Sequence, residues 1–205
     1  VFVHGDGFTA ATVDLPSAPR TVLPEILLIR RRGISGDAVN GEVVWYGGEE
    51  GAPNTELVSW YSQREMSFRV TDTLVRGDGS NGVLAEGIYD VEIENVEGAS
   101  ETAHQALTVV DPPNVSNDTD FAESEGGIGF DATIRGARFL VIDGERPDVQ
   151  IDGVSADISQ ESDCEAVQNS QYDVRSCSTL EVRINGVSAP DAPAEIRVEN
   201  PAPAD

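Results

Sequence analysis

Two cysteines, two histidines and 37 carboxylates are the raw material for chemistry in this chain of 205 residues. Cys164 and Cys177 are too few for a four-cysteine zinc site, and no histidine lies near them in sequence. In an oxidising compartment they would close a short loop, contributing on the order of 3 kcal/mol. In a reducing one they would stand as buried thiols. We expect the disulfide. His4, beside Gly5-Asp6-Gly7, has the makings of a base or metal ligand, and so in principle has His104. The position matching His4 in the second half of the chain is Arg135, which marks an outward strand residue. No Ser, Cys or Thr stands in a nucleophile setting such as Gly-x-Ser-x-Gly, and no pair of acids is singled out for glycoside chemistry. The expectation is a protein that is not an enzyme.

Several stretches could bind rather than react. Asp118, Asp120, Glu123 and Glu125 form a dense acidic cluster near the middle of the chain. Calcium takes several oxygen ligands, and such a cluster could stiffen a joint between β modules, or be only a solvated linker. Asp78-Gly79-Ser80-Asn81-Gly82 has some look of a calcium loop but lacks the downstream glutamate in register, so a polar hairpin turn is expected. No other cofactor is expected. Arg76-Gly77-Asp78 spells an integrin-read tripeptide, which a Gly-Asp-Gly turn also explains. Asn114-Val115-Ser116 and Asn117-Asp118-Thr119 are glycosylation sequons only in a secreted eukaryotic protein. Arg30-Arg31-Arg32 is the one basic run, and we expect it to pair with carboxylates of a neighbouring module. Trp45-Tyr46 and Trp60-Tyr61 are adjacent aromatic pairs, so one ring of each should face inward. A tryptophan in the core is the default, and an outward ring could stack on a sugar.

The formal charge is −24 and all 13 basic residues are arginine. So acidic a surface repels phosphate backbones and anionic membranes, which argues against nucleic-acid binding. It suits a medium rich in salt, where self-repulsion is screened. No run approaches the roughly 18 apolar residues of a membrane span, and there is no basic-then-apolar secretory start.

The elements that must position these residues are strands. Met66, Phe68 and Val70 alternate with polar residues, as do Tyr89, Val91 and Ile93, then Leu180, Val182 and Ile184, then Ile196 and Val198. Period-2 alternation buries one face and wets the other. Gly and Pro punctuate the intervals, and no long helical pattern occurs, although Asp163–Asn169 could form one short turn.

The chain also repeats itself, in the same order in both halves. Val3-His4-Gly5-Asp6-Gly7-Phe8 parallels Ile134-Arg135-Gly136-Ala137-Arg138-Phe139. Glu65–Val70 parallels Thr179–Ile184, and Gly87–Asn95 parallels Pro193–Asn200. The expected modules are residues 1–111 and 112–205, joined at Asp111-Pro112-Pro113, with an insertion in a surface loop of the first around residues 35–54.

A strand ending in Gly-x-x-Phe, followed at last by Gly87-Ile88-Tyr89-Asp90-Val91-Glu92-Ile93-Glu94-Asn95-Val96-Glu97-Gly98, resembles the IPT/TIG family of immunoglobulin-like domains. The second copy lacks the Gly-x-Tyr. The resemblance implies an all-β fold of two tandem immunoglobulin-like β-sandwiches. Beside the family pattern, the first copy lacks its opening strand and the second its last. Either the chain is a fragment of a longer array, or a neighbouring chain supplies the missing edge. Phe2 alternates with Val1 and Val3, points away from the core and needs a cover. The expected function is a structural and adhesive module of a secreted or cell-surface protein, acting as spacer, stacking or self-assembling unit. Its partners would be other copies, neighbouring domains or surface glycans. The alternative is an accessory carbohydrate-binding module of an extracellular enzyme. A transcription-factor role, also found in the family, is opposed by the charge.

Overall fold

The computed structural model describes residues 1–14, 19–34, 37–39, 41–49, 51–71, 73–76, 78–123, 129–168, 172–190 and 194–202. The chain divides into two compact units, Val1–Val109 and Val110–Asp205. Among the described residues the fold is nearly all antiparallel β, and the one helical turn is a 3-10 turn at Thr55–Leu57. Among the described residues no helix is long and apolar enough to cross a membrane.

The first unit has strands β1 (Phe2–His4), β2 (Ala11–Asp14), β3 (Pro19–Arg32), β4 (Val43–Gly48), β5 (Val58–Ser62), β6 (Glu65–Phe68), β7 (Leu74–Val75), β8 (Asn81–Gly82), β9 (Gly87–Glu94) and β10 (Ser100–Val109). One sheet runs β1-β6-β5; the other runs β4-β3-β9-β10, with β2 pairing the first part of β3. Their inner faces share one core. Val58, Met66 and Phe68 come from the first sheet, and Ile26, Leu28, Val44, Tyr46, Tyr89 and Val91 from the second. Alternation supplies one such side chain every second residue, each worth roughly 1.5–3 kcal/mol when fully buried. The Tyr89 hydroxyl donates to the Ala85 carbonyl, 2.6 Å away. A tyrosine near the start of a strand that bonds back to the backbone a few residues upstream is also a feature of immunoglobulin sandwiches, where it is called a tyrosine corner.

Two expectations for this unit are corrected. Residues 35–54 are more than a surface loop, because they contain β4, whose Val44 and Tyr46 are fully buried. The ring facing the core is Tyr46 rather than a tryptophan. Val44 and Tyr46 share the inner face of β4, so alternation turns Trp45 outward. At the second pair neither ring is buried: Tyr61 points outward, and Trp60, opposite Met66, stands on the edge strand of its sheet and is partly exposed.

The second unit has β11 (Asn114–Val115), β12 (Asp120–Glu123), β13 (Gly129–Ile142), β14 (Asp148–Ile151), β15 (Val154–Ala166), β16 (Val174–Asn185) and β17 (Ile196–Glu199). Their order is β11-β13-β16-β15-β14-β17, with β12 also on β13. β15 pairs β14 through Val154–Ala156 and then β16 through Asp157–Ala166, with an irregularity at Ile158–Gln160. A strand that changes partners in this way turns a sheet over its own core. The core joins Val149 and Ile151 to Ile134, Phe139, Leu180, Val182 and Ile184, with Ile196 and Val198 packed against it. The short turn expected over Asp163–Asn169 is strand as far as Ala166, held by pairing of Cys164 with Cys177 and of Ala166 with Arg175. Asn169 lies outside the described residues.

The repeats coincide in register. Val3 pairs with Met66 and His4 with Glu65; the matching residues Ile134 and Arg135 pair with Leu180 and Thr179. The Gly-x-x-Phe motif has the same use in both units. A Cβ on Gly5 would stand 2.7 Å from Cζ of Phe8, and one on Gly136 would stand 2.6 Å from Cζ of Phe139. Each glycine is the floor on which the phenylalanine ring lies. The residue before the ring has a positive φ in both, 88° at Gly7 and 64° at Arg138. An asparagine clasps both turns. Asn95 accepts from the Thr9 amide at 3.1 Å and donates to the Gly7 carbonyl at 2.9 Å. Asn200 does the same to Leu140 and Arg138, each at 2.9 Å.

Candidate functional site

The most exposed aromatic surface is built on β1. Val3 packs inward, so Phe2 and His4 take the outer face of the β1-β6-β5 sheet. Backbone bonds hold this strand in place. The Phe68 amide donates to the Val1 carbonyl at 3.0 Å, the Gly5 amide to Arg64, and the Gly7 and Phe8 amides to Gln63. Trp60 donates its Nε1–H to the Phe8 carbonyl at 3.2 Å, which fastens β5 to the same turn.

β5 delivers a third ring to this face, because alternation from the buried Val58 turns Tyr61 outward. Tyr61 reaches over the small Ser67 of the middle strand, with hydroxyl oxygens 3.2 Å apart. Its ring stands 6.3 Å from that of Phe2 at an interplanar angle of 24°, and the ring of His4 stands 6.5 Å from that of Phe2 at 11°. Phe2 is 64 % and Tyr61 55 % exposed. Phe2 thus has a nearly parallel exposed ring on each of two neighbours, His4 and Tyr61, with Glu65 of the middle strand directly across from His4. The sequence pointed to Phe2 and to an outward ring in the Trp60-Tyr61 pair; Tyr61 is the more exposed of the two.

Trp45 is 42 % exposed on the outer face of β4. It lines an open cleft of about 360 Å³ with Glu25, Pro53, Val75 and Arg76. Asn54, buried at the base of this region with a φ of 59°, donates to the Trp45 and Val75 carbonyls and accepts from the Val75 amide. Arg76 is engaged by Glu42 at 2.6 Å.

Two arginines of the run bond inside their own unit. Arg30 donates to the Glu86 carbonyl, and Arg31 to the Asp90 carboxylate at 2.9 Å. Arg32 is exposed at the end of β3. Asp90 is a residue that sequence reading missed as a site, although it stands in the closing motif. Its side chain is only 5 % exposed. Besides Arg31 it meets His104 Nδ1 at 3.1 Å and the Gln105 amide at 2.8 Å. Burial alone would push its carboxyl up; the bonds from Gln105, Arg31 and His104 outweigh this and hold it below the usual range. The arrangement pins the bulge in β10, where Gln105 has a φ of 52°.

Cys164 and Cys177 form the expected disulfide, directly across the β15–β16 pair. In the acidic cluster, Arg135 binds the Asp120 carboxylate at 2.8 Å and the Asp118 carbonyl at 3.0 Å. Glu123 ends β12, and Glu125 lies outside the described residues. Among the described residues no three His, Cys, Asp or Glu side chains are grouped to hold a metal ion. Asp78 accepts from the Ser80 amide at 2.9 Å in the β7–β8 hairpin. Hydrogen bonds from Ser80 hold its carboxyl below the usual range. Gly77, the middle of the Arg-Gly-Asp triplet, is outside the described residues. No family model, curated protein or solved structure matches the chain.

Proposed function

We propose that this chain is a non-catalytic structural and adhesive segment of a secreted or cell-surface protein, built from two immunoglobulin-like sandwiches of the IPT/TIG kind. It spaces, stacks or self-assembles through the edges of its sheets. The observation that carries this reading is the unequal covering of matching strands. In the second unit β13 has β16 on one side and β11 and β12 on the other, whereas its counterpart β1 pairs only β6 among the described strands. In the first unit β9 lies between β3 and β10, whereas its counterpart β17 pairs only β14 among the described strands. An open edge offers N–H and C=O groups to an added strand. The disulfide supports an oxidising compartment.

The test is the mass in solution by light scattering, across protein concentration and from low to about 1 M salt, where a charge of −24 is screened to within ~3 Å. The expected result is a mass that rises with concentration at high salt. A monomer under all conditions would remove self-assembly and leave a spacer. Adding calcium checks the acidic stretch: an unchanged mass would remove a metal-stiffened joint from the proposal. The exposed rings favour a second reading, an accessory carbohydrate-binding module.

A further inference from the structure

We infer that the cleft beside Trp45 is a binding site for an organic cation, an ammonium or guanidinium group on a short apolar stem. The site is separate from the strand edges of the proposed function and goes beyond that reading. Three observations carry it.

The first is how the sequence clears the space. Leu23 pairs with Gly48 and Ile26 with Tyr46, so β3 sets Pro24 and Glu25 against Gly47 alone. A bulge of this kind re-aims side chains. Pro24 is buried and Glu25 half-buried. A Cβ on Gly48 would stand 2.9 Å from Oε1 of Glu25, so the carboxylate lies over the end of β4. Gly47 follows Trp45 by two residues and shares its face of the strand. Its φ is 85°, and a side chain there would run into the Pro24 carbonyl. The bare backbone leaves room for the cleft of about 360 Å³, whose lining includes Trp45, Glu25, Pro53 and Val75.

The second is bracing. Asn54 is 3 % exposed and bonds the Trp45 carbonyl and both backbone groups of Val75. The Thr55 hydroxyl donates to the Gly47 carbonyl at 2.8 Å. The segments around the cleft are therefore held in place before any ligand arrives, and binding has little chain to order.

The third is charge, which selects the ligand. Among the described residues no hydrogen bond or ion pair reaches the Glu25 carboxylate, and the same holds for Glu94, its direct neighbour across β9. Like charges set opposite in a sheet repel. The Arg76 guanidinium does not answer them, because it is engaged by Glu42 at 2.6 Å and donates to the Val83 carbonyl at 2.8 Å. An anion entering the cleft meets this repulsion inside a chain of charge −24. A neutral ligand strips water from Glu25 and gives nothing back. A metal ion needs several oxygen ligands, and among the described residues no three acids are grouped to hold one. An organic cation pairs with Glu25 and at the same time meets tryptophan, the ring that attracts cations best. Its stem has Pro53 and Val75 to lie against.

The experiment is a nuclear magnetic resonance titration of the full chain in about 0.15 M salt, where charges beyond ~8 Å are screened. The probes are n-butylammonium, n-butylguanidinium, 1-butanol, pentanoate and methyl glucoside, read on the Trp45 indole N–H and the Gly47 and Gly79 amides. Saturable shifts are expected from the two cations alone, with a Kd on the order of 1 mM. Binding should be about tenfold weaker in Glu25→Gln and in Trp45→Ala, and unchanged in Glu101→Gln on β10. Circular dichroism melts check that each variant folds, and the ranking of probes on the wild-type chain stands without them. Absence of saturation by both cations would overturn the inference. So would equal shifts from butanol or methyl glucoside, or cation binding indifferent to Glu25. Tighter binding of Nα-acetyl-lysine amide than of butylammonium would assign the cation to a side chain of a partner polypeptide, and weaker binding to a free amine. Light scattering reads assembly separately, so this inference and the proposed function fail independently.

Discussion

The two units hold the same turn with the same clasp and then reinforce it differently. In the first, Asn95 bridges Gly7 and Thr9 around Phe8; in the second, Asn200 bridges Arg138 and Leu140 around Phe139. Beyond that the units diverge. The first packs Tyr46, Phe68 and Tyr89 together, gains the inserted strand β4 and ties its last turn with the Tyr89 hydroxyl. The second has a core chiefly of Ile, Leu and Val around Phe130 and Phe139. It adds β11 against β13 and staples β15 to β16 with a disulfide. A local clasp repeats because both copies need it to seat one ring on one glycine. The rest varies because burial, strand pairing and covalent closure are interchangeable sources of stability.

The largest test of this contrast is at the glycine floor. Alanine at Gly136 would meet both the Phe139 ring and the Asn114 carbonyl of β11, while alanine at Gly5 meets only the Phe8 ring. Gly136→Ala should destabilise the second unit by about 3–4 kcal/mol and Gly5→Ala the first by about 1–2 kcal/mol, as overpacking usually does. Urea melts of the two variants measure both, and equal effects would break the asymmetry.

Reduction should come next. Opening Cys164–Cys177, 13 residues apart in sequence, should cost the second unit about 2–3 kcal/mol. The first unit has no cysteine and should melt unchanged in reductant. Loss in both units would mean that they do not unfold independently.

The clasps follow in size. Asn200→Ala leaves the Leu140 amide and Arg138 carbonyl without their partner, both in partly buried positions, and should cost about 2 kcal/mol. Asn95→Ala should cost about 1 kcal/mol, since its bond to Gly7 is exposed to water that can replace it. Hydrogen exchange at Thr9 and Leu140 would sharpen the comparison by showing whether each variant opens its own turn.

The smallest effect is that of acid on the first unit. The folded state holds the Asp90 carboxyl below its ordinary value near ~3.9. Its contribution is therefore fully present above that value and is lost as pH falls through the lower folded pKa. Asp90→Asn should be less stable than wild type at neutral pH, and the difference should shrink in acid. A constant gap between the two pH profiles would refute the role given to the Arg31, His104 and Gln105 contacts.

The alternation of Met66 and Phe68, of Tyr89 and Val91, and of Leu180, Val182 and Ile184 was legible in the sequence, and these side chains face the cores. The repeat was legible as matching segments, and the structure adds that they pair in the same register, Val3 with Met66 and Ile134 with Leu180. Of the aromatic face, Phe2 was legible from the alternation of β1, and that Tyr61 lies beside it depends on both strands pairing β6. The tryptophans were misleading, because Trp60 spends its indole N–H on Phe8 and Trp45 yields the core to Tyr46. Asp90 looked like any outward acid of an alternating strand. Its burial depends on Arg31, His104 and Gln105, which come from other strands.

What the sequence determined by itself is whatever depends on neighbours two residues apart or on a short motif: the strands, their inward faces, the Gly-x-x-Phe floor and its closing asparagine. Period-2 alternation and the lack of a Cβ act locally, so they are written locally. What only the tertiary structure decided is which strands share a sheet and where the alternation slips. β4 became a core strand because β3 had an edge to offer, and Tyr61 stands beside Phe2 because β1 and β5 flank the same middle strand β6. Both outcomes follow from pairing between distant segments, whose energy is shared across the partners and is carried by neither segment alone.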